Sequence, residues 1–191
     1  MVRGSPNPRH LGLPARLRKA RKLSGLSRKG MVQKVGAGET AARDIETGQR
    51  IPTVGMIARL ASALSVSAGW LAFGLGEMHT DSPAATCEEM GARLQTARIA
   101  REHTKASLAR LAELTAPSIA QIENGGQAGV DTIDRLARSL RVSPAWLAYG
   151  LGDRELPPRR HSRGASIPAV EAETVGFTLS SSLDRRRGAS A

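Results

Sequence analysis

The chain carries one passage twice. LASALSVSAGWLAFGLGE at residues 60–77 returns as LARSLRVSPAWLAYGLGD at 136–153, and the likeness extends upstream to Ala15, Arg16 and Leu17 against Ala92, Arg93 and Leu94. Repetition on this scale marks a duplicated structural unit. The offset is 77 residues over the first part of the unit and 76 over the second, so one residue was gained or lost just after Gly48 or Gly125. Such a change is tolerated where the chain runs over the surface in a loop. Each copy is about 64 residues, too long for one turn of a solenoid and about the size at which a small helical domain buries its own core.

Charge limits what two such modules can do. Among 191 residues, Lys and Arg exceed Asp and Glu by 11, an excess that points to nucleic acid or, less often, an anionic membrane surface. The excess is uneven: about +7 over residues 13–77, about +2 over 90–153, about +3 in the tail and about +2 in the first twelve residues, with the connection near −3. Cys87 is the only cysteine, so there is no disulfide scaffold and a cytoplasmic location is expected. With His79 it offers two ligands where zinc wants three or four, and neither a metal nor another cofactor is expected. No run approaches the roughly 18 apolar residues of a membrane span. The start, MVRGSPNPRHLG, lacks the apolar stretch of a signal peptide.

The periodicity is helical throughout. Leu13, Leu17, Ala20 and Leu23 recur on one face, Ser27 offers a cap for a second short helix, and Gly36, Ala37 and Gly38 interrupt that helix after about two turns. A third helix runs from Glu39 to Thr47 and Gly48. Pro52 and Thr53 open a fourth with Ile57, Leu60, Ala61 and Leu64 on one face, and Ser67 caps a fifth that carries Trp70, Leu71 and Phe73. The second copy predicts helices near 90–102, 105–112, 116–123, 131–140 and 143–149. Pro117 is acceptable at the start of the third of these, where its missing N–H has no partner to lose. Residues 1–12 read as a flexible basic arm, 78–89 as a linker, and 154–191 as a basic, disordered tail in which 167–183 is apolar enough for a short docked element.

Two short helices joined by a tight turn and set among three others describe a helix-turn-helix. Both copies resemble the Cro and phage-repressor type, over residues 13–77 and 90–153. The likeness runs through ARLRKAR, GLSRKGMVQKVGAGETAARDIETGQRIP and LASALSVSAGWL in one copy, and through ARLQTAR, ASLARLAELTAPSIAQIENG and LARSLRVSPAWL in the other. The expected fold is therefore all-α, with two tandem five-helix, lambda-repressor-like domains.

The resemblance implies roles for particular residues. An arginine of the first helix pairs with a glutamate late in the third, here Arg21 with Glu46 and Arg98 with Glu123, as a scaffold that touches no base. Arg28, Lys29 and Lys105, at the start of the second helix of each copy, stand where a phosphate is met by charge and a helix N-terminus. Base reading falls to Glu39, Thr40, Arg43 and Asp44 in the first copy and to Ala116, Pro117, Ser118 and Gln121 in the second. Arg43 suits guanine O6 and N7, Gln121 suits adenine N6 and N7, and Ala116 or Pro117 suits a thymine methyl, so the copies should prefer different sequences.

Departures from the family pattern are informative. Val32 stands where Ala109 supplies the expected small residue, which should spread the crossing of the second and third helices. Gly38 and Ala42 replace a cap and a large apolar residue. Glu113 replaces the turn glycine kept as Gly36, and a glutamate forced to positive φ is strained by about 1–2 kcal/mol.

Other chemistries fit poorly. Residues 36–41 match G-x-G-x-x-A, but no strand precedes them and no parallel sheet is expected. A self-cleaving repressor needs a Ser–Lys pair in a C-terminal domain, and the last lysine is Lys105. His10, His79 and His161 fall in segments expected to be mobile, so catalysis is not expected. Trp70 with Phe73 and Trp146 with Tyr149 read as core rather than as stacking platforms for single strands. The sequence thus points to a sequence-specific regulator of transcription that binds double-stranded DNA, a repressor in the first instance. The linker's twelve residues reach at most about 40 Å at about 3.3–3.6 Å each, enough for one chain to occupy two half-sites about 34–36 Å apart. A homodimer is compatible with the same residues, and no small-molecule ligand is evident. The alternative of another class is a protein-interaction or antitoxin-like module that holds a protein partner.

Overall fold

The computed structural model describes residues 9–79 and 86–155; the start of the arm, the middle of the linker and the tail beyond residue 155, with His161, lie outside the described residues. A 3-10 helix, Arg9–Gly12, precedes five helices in the first copy: α1 Leu13–Leu23, α2 Arg28–Val35, α3 Glu39–Thr47, α4 Val54–Leu64 and α5 Ala68–Phe73. The second copy repeats the order as α6 Met90–Ala100, α7 Lys105–Leu111, α8 Ala116–Glu123, α9 Val130–Leu140 and α10 Pro144–Tyr149. Among the described residues there is no β-strand, only isolated bridges.

Local chemistry sets the helix starts. Ser27, Thr53, Ser67, Thr104, Thr115 and Ser143 each accept, through the side-chain oxygen, the backbone N–H three residues on, a cap worth about 1 kcal/mol. Gly38, at the head of α3, makes no such bond. Gly48 closes α3 in the left-handed region at φ 77°, as the sequence suggests.

Each copy closes around its own core. Leu17, Met31, Ile57, Leu60 and Leu71 are fully buried, and so are their counterparts Leu94, Leu108, Ile133, Leu136 and Leu147. Phe73 and Tyr149 are buried as well, while Trp70 and Trp146 pack against the core from its edge. Val32 does not spread its crossing. It and Ala42 are both buried, as are Ala109 and Ile119, and the helix pairs α2–α3 and α7–α8 pack alike. The large residue has moved from the third helix to the second, which conserves volume across the crossing.

Two arginines repeated at the same place tie each copy end to end. Arg16 donates to the carbonyls of Leu71 and Ala72 at 2.9 and 2.7 Å, and Arg93 to those of Leu147 and Ala148 at 3.0 and 2.9 Å. They satisfy carbonyls at the C-termini of α5 and α10 that have no partner within the helix. Burial lowers the pKa of both guanidinium groups, but an arginine has far enough to fall that both keep their charge.

The copies are not independent beads on a linker. Their described residues lie in one compact unit, in which α5 packs on α10. The end of the arm is also ordered: the 3-10 helix packs against α1, α5 and α9, where His10 Nδ1 lies 3.0 Å from Oδ2 of the buried Asp134 and the Arg9 N–H donates to the same oxygen at 2.9 Å. His79, also expected to be mobile, stands 3.3 Å from the Ser65 carbonyl. A buried carboxylate such as Asp134 needs partners; the arm supplies two to Oδ2, while Oδ1 is buried without a hydrogen-bond partner among the described residues.

Candidate nucleic-acid interface

The third helix of each copy lies half in and half out. In α3, Ala41, Ala42, Ile45 and Glu46 are buried, Thr40 and Arg43 are exposed and Asp44 is half-buried. Glu39 opens the helix, and its side chain lies outside the described residues. In α8, Ile119 and Ile122 are buried, Pro117 and Gln121 are exposed, and Ala116 and Ser118 are half-buried. The Ser118 hydroxyl is engaged locally, 2.8 Å from that of Thr115. Among the described residues, the guanidinium of Arg43 and the amide of Gln121 hold no hydrogen-bond partner. Each rod therefore turns an unengaged polar side chain outward, Arg43 on α3 and Gln121 on α8, and buries isoleucine beneath.

What holds the rods is the same device twice. Arg21 Nε lies 2.6 Å from Glu46 Oε1, and Arg28 Nε lies 2.7 Å from Oε2 of the same carboxylate. In the second copy Arg98 Nε is 2.6 Å from Glu123 Oε1 and Lys105 Nζ is 3.4 Å from its Oε2. Arg21 and Arg98 also donate to the backbone carbonyls of Leu26 and His103, at the approach to the second helix. One cluster thus binds the first three helices together. Burial alone would push the Glu46 carboxyl up, but the hydrogen bonds and charges of Arg21 and Arg28 together outweigh it and hold the pKa below its ordinary value.

Arg28 and Lys105 were expected to meet phosphates, and the structure also attaches each to the buried carboxylate. Their side chains remain nearly half exposed, at 47% and 44%, so each can still offer an N–H outward. With two cations to one carboxylate, each cluster keeps a net charge of +1 beside the third helix. Lys29 is exposed. Sequence reasoning missed the clamps Arg16 and Arg93, although the recurrence of Ala-Arg-Leu at the same offset, with a charged residue inside an otherwise apolar match, was the signal.

Helix-turn-helix family models match both copies, one described as a helix-turn-helix domain over residues 13–70 and one as a helix-turn-helix over residues 94–147. The chain is a tandem helix-turn-helix protein of the Cro/repressor type. Such domains make it a DNA-binding regulator of transcription. No curated protein and no solved structure matches it. Among the described residues of this tandem protein, no helix is long and apolar enough to cross a membrane.

Proposed function

We propose that this protein regulates transcription by binding double-stranded DNA sequence-specifically, with α3 and α8 in the major groove, and that it represses by occupying the site. The observation that carries the reading is the twice-built cluster of one carboxylate and two cations, which holds an exposed polar rod against each core. Arg43 reads guanine and Gln121 adenine; Glu39, Thr40, Asp44, Ala116, Pro117 and Ser118 complete the two reading faces. Arg28, Lys29 and Lys105 meet phosphates and set register without reading sequence. The copies carry different outward residues and so read different half-sites.

Binding-site selection from random duplexes with the intact protein tests this. A defined motif is expected, with affinity falling steeply as salt rises. The Arg43→Ala and Gln121→Ala variants should each relax one part of the motif while melting like the parent. Enrichment of the same motif by parent and variants would remove the base-reading assignment. Binding to a protein partner with little salt dependence, and no motif, would favour an interaction module instead.

A further inference from the structure

The contact between the two copies joins residues to their own counterparts. Thr53 bridges Gly129 in antiparallel fashion, 76 positions apart. The Val54 N–H donates to the Ala128 carbonyl at 2.9 Å, and the Val130 N–H donates to the Pro52 carbonyl at 3.1 Å. Each of these bonds is the image of the other, since 52 and 54 correspond to 128 and 130. Gly69 of α5 faces its counterpart Ala145 of α10, so closely that a Cβ on Gly69 would come 3.0 Å from that of Ala145. The rings of Phe73 and Tyr149, again counterparts, stand 6.5 Å apart. A surface whose residues meet their own equivalents is what a two-fold axis produces, and a head-to-tail stacking of repeats cannot produce it.

Other contacts depart from the symmetry. Tyr149 donates its buried hydroxyl to the Val54 carbonyl at 3.1 Å, a bond that Phe73 cannot return. His10 reaches Asp134 of α9, whereas its counterpart Cys87 lies beside Gly55 of α4, and the counterpart of Asp134 is Ala58. The two halves have become complementary to each other rather than to copies of themselves.

We infer that one chain is a complete two-fold DNA-binding unit, a dimer fused within itself, whose target is a pair of unlike half-sites in inverted orientation at one fixed spacing. This rests on the reading that α3 and α8 enter the major groove. Two reading helices related by a two-fold axis meet the two strands in opposite senses, as a symmetric dimer does on a palindrome. Two modules swinging on a free linker would accept direct or inverted half-sites and several spacings. Here the backbone bonds between residues 52–54 and 128–130 fix both orientation and distance.

Grafting the outward face of α3 onto α8, as Ala116→Glu, Pro117→Thr, Ser118→Ala, Ala120→Arg and Gln121→Asp together, tests the inference. Binding-site selection with this variant should return an inverted repeat of the α3 half-site with a single spacing. The complex should hold one chain per duplex by mass. Two extra base pairs between the half-sites should weaken binding at least about tenfold, because they turn one half-site away from its helix. The reverse graft, Glu39→Ala, Thr40→Pro, Ala41→Ser, Arg43→Ala and Asp44→Gln, should give an inverted repeat of the α8 half-site, and guards against a fold defect in the first. A direct repeat, a tolerated insertion, or two chains on each site would overturn the inference and leave DNA reading intact. If the parent protein enriches no motif, the base-reading proposal falls and this inference with it.

Discussion

At the scale of single residues, two side chains store opposite kinds of energy. Glu113 sits at φ 54° beyond the end of α7, in the left-handed region that costs a side-chain-bearing residue about 1–2 kcal/mol. Gly36 holds the same place in the first copy at φ 64° without that cost. The Glu113→Gly variant should therefore melt higher, with a gain of about 1 kcal/mol in denaturant unfolding, and a loss would mean that the Glu113 side chain has a role the strain supports. Glu46 is the opposite case, a buried carboxylate held by Arg21 and Arg28. Its replacement by glutamine should cost about 3 kcal/mol, because two cations lose the charge that compensates them. Because the folded carboxyl is held below its ordinary value, the stabilisation is complete above about pH 4, the range of a free glutamate, and fades as pH falls through the lower folded value. The gap between parent and Glu46→Gln should accordingly narrow on acidification, and a gap that widened would reverse the sign of the coupling.

At the scale of elements, the reading helices are positioned by how closely their neighbours approach. Gly91 in α6 lies against the end of α8, where a Cβ would stand 2.5 Å from the Glu123 carbonyl oxygen and 2.7 Å from that of Ile122. Backbone cannot yield as a side chain can, so Gly91→Ala should cost about 2 kcal/mol by overpacking. It should also disturb the Glu123 cluster, weakening recognition of the α8 half-site more than that of the α3 half-site in a binding assay. The helices themselves were legible in the sequence because their determinants are local: a capping hydroxyl, an apolar period, a glycine or proline at the end. The ion pairs were legible through resemblance. The join between the copies was not, because its close contacts are made by Gly69 and Ala145, where α5 meets α10, and by the backbone of residues 52–54 and 128–130, which leave no mark on hydrophobic period or charge. Asp134 was hidden for a related reason: an aspartate on a helix reads as surface until a distant segment, here Arg9 and His10, is seen to cover it.

At the scale of the whole molecule, the join between copies decides whether they are two folding units or one. Each copy has a core of its own, which would allow separate unfolding. Yet α5 and α10 are short helices of six residues each, and each is buried between its own core and the other. Loss of either copy would strip the other of the backbone bonds that join residues 52–54 to 128–130, and loss of the first would leave Tyr149 without its acceptor. A buried hydroxyl without a partner costs about 1–3 kcal/mol, added to the apolar surface exposed on α5 or α10. Coupling of that size is a large fraction of the stability of a small domain, so the two copies should unfold together. Calorimetry should show one transition with equal calorimetric and van't Hoff enthalpies. The Ile133→Ala variant, which opens a cavity in the second core at a cost of about 2–5 kcal/mol, should lower hydrogen-exchange protection in α4 of the first copy as much as in α9. Protection lost in α9 alone, or a second calorimetric peak, would show that the cores melt separately and that the join between them is too weak to hold two reading helices at a fixed spacing.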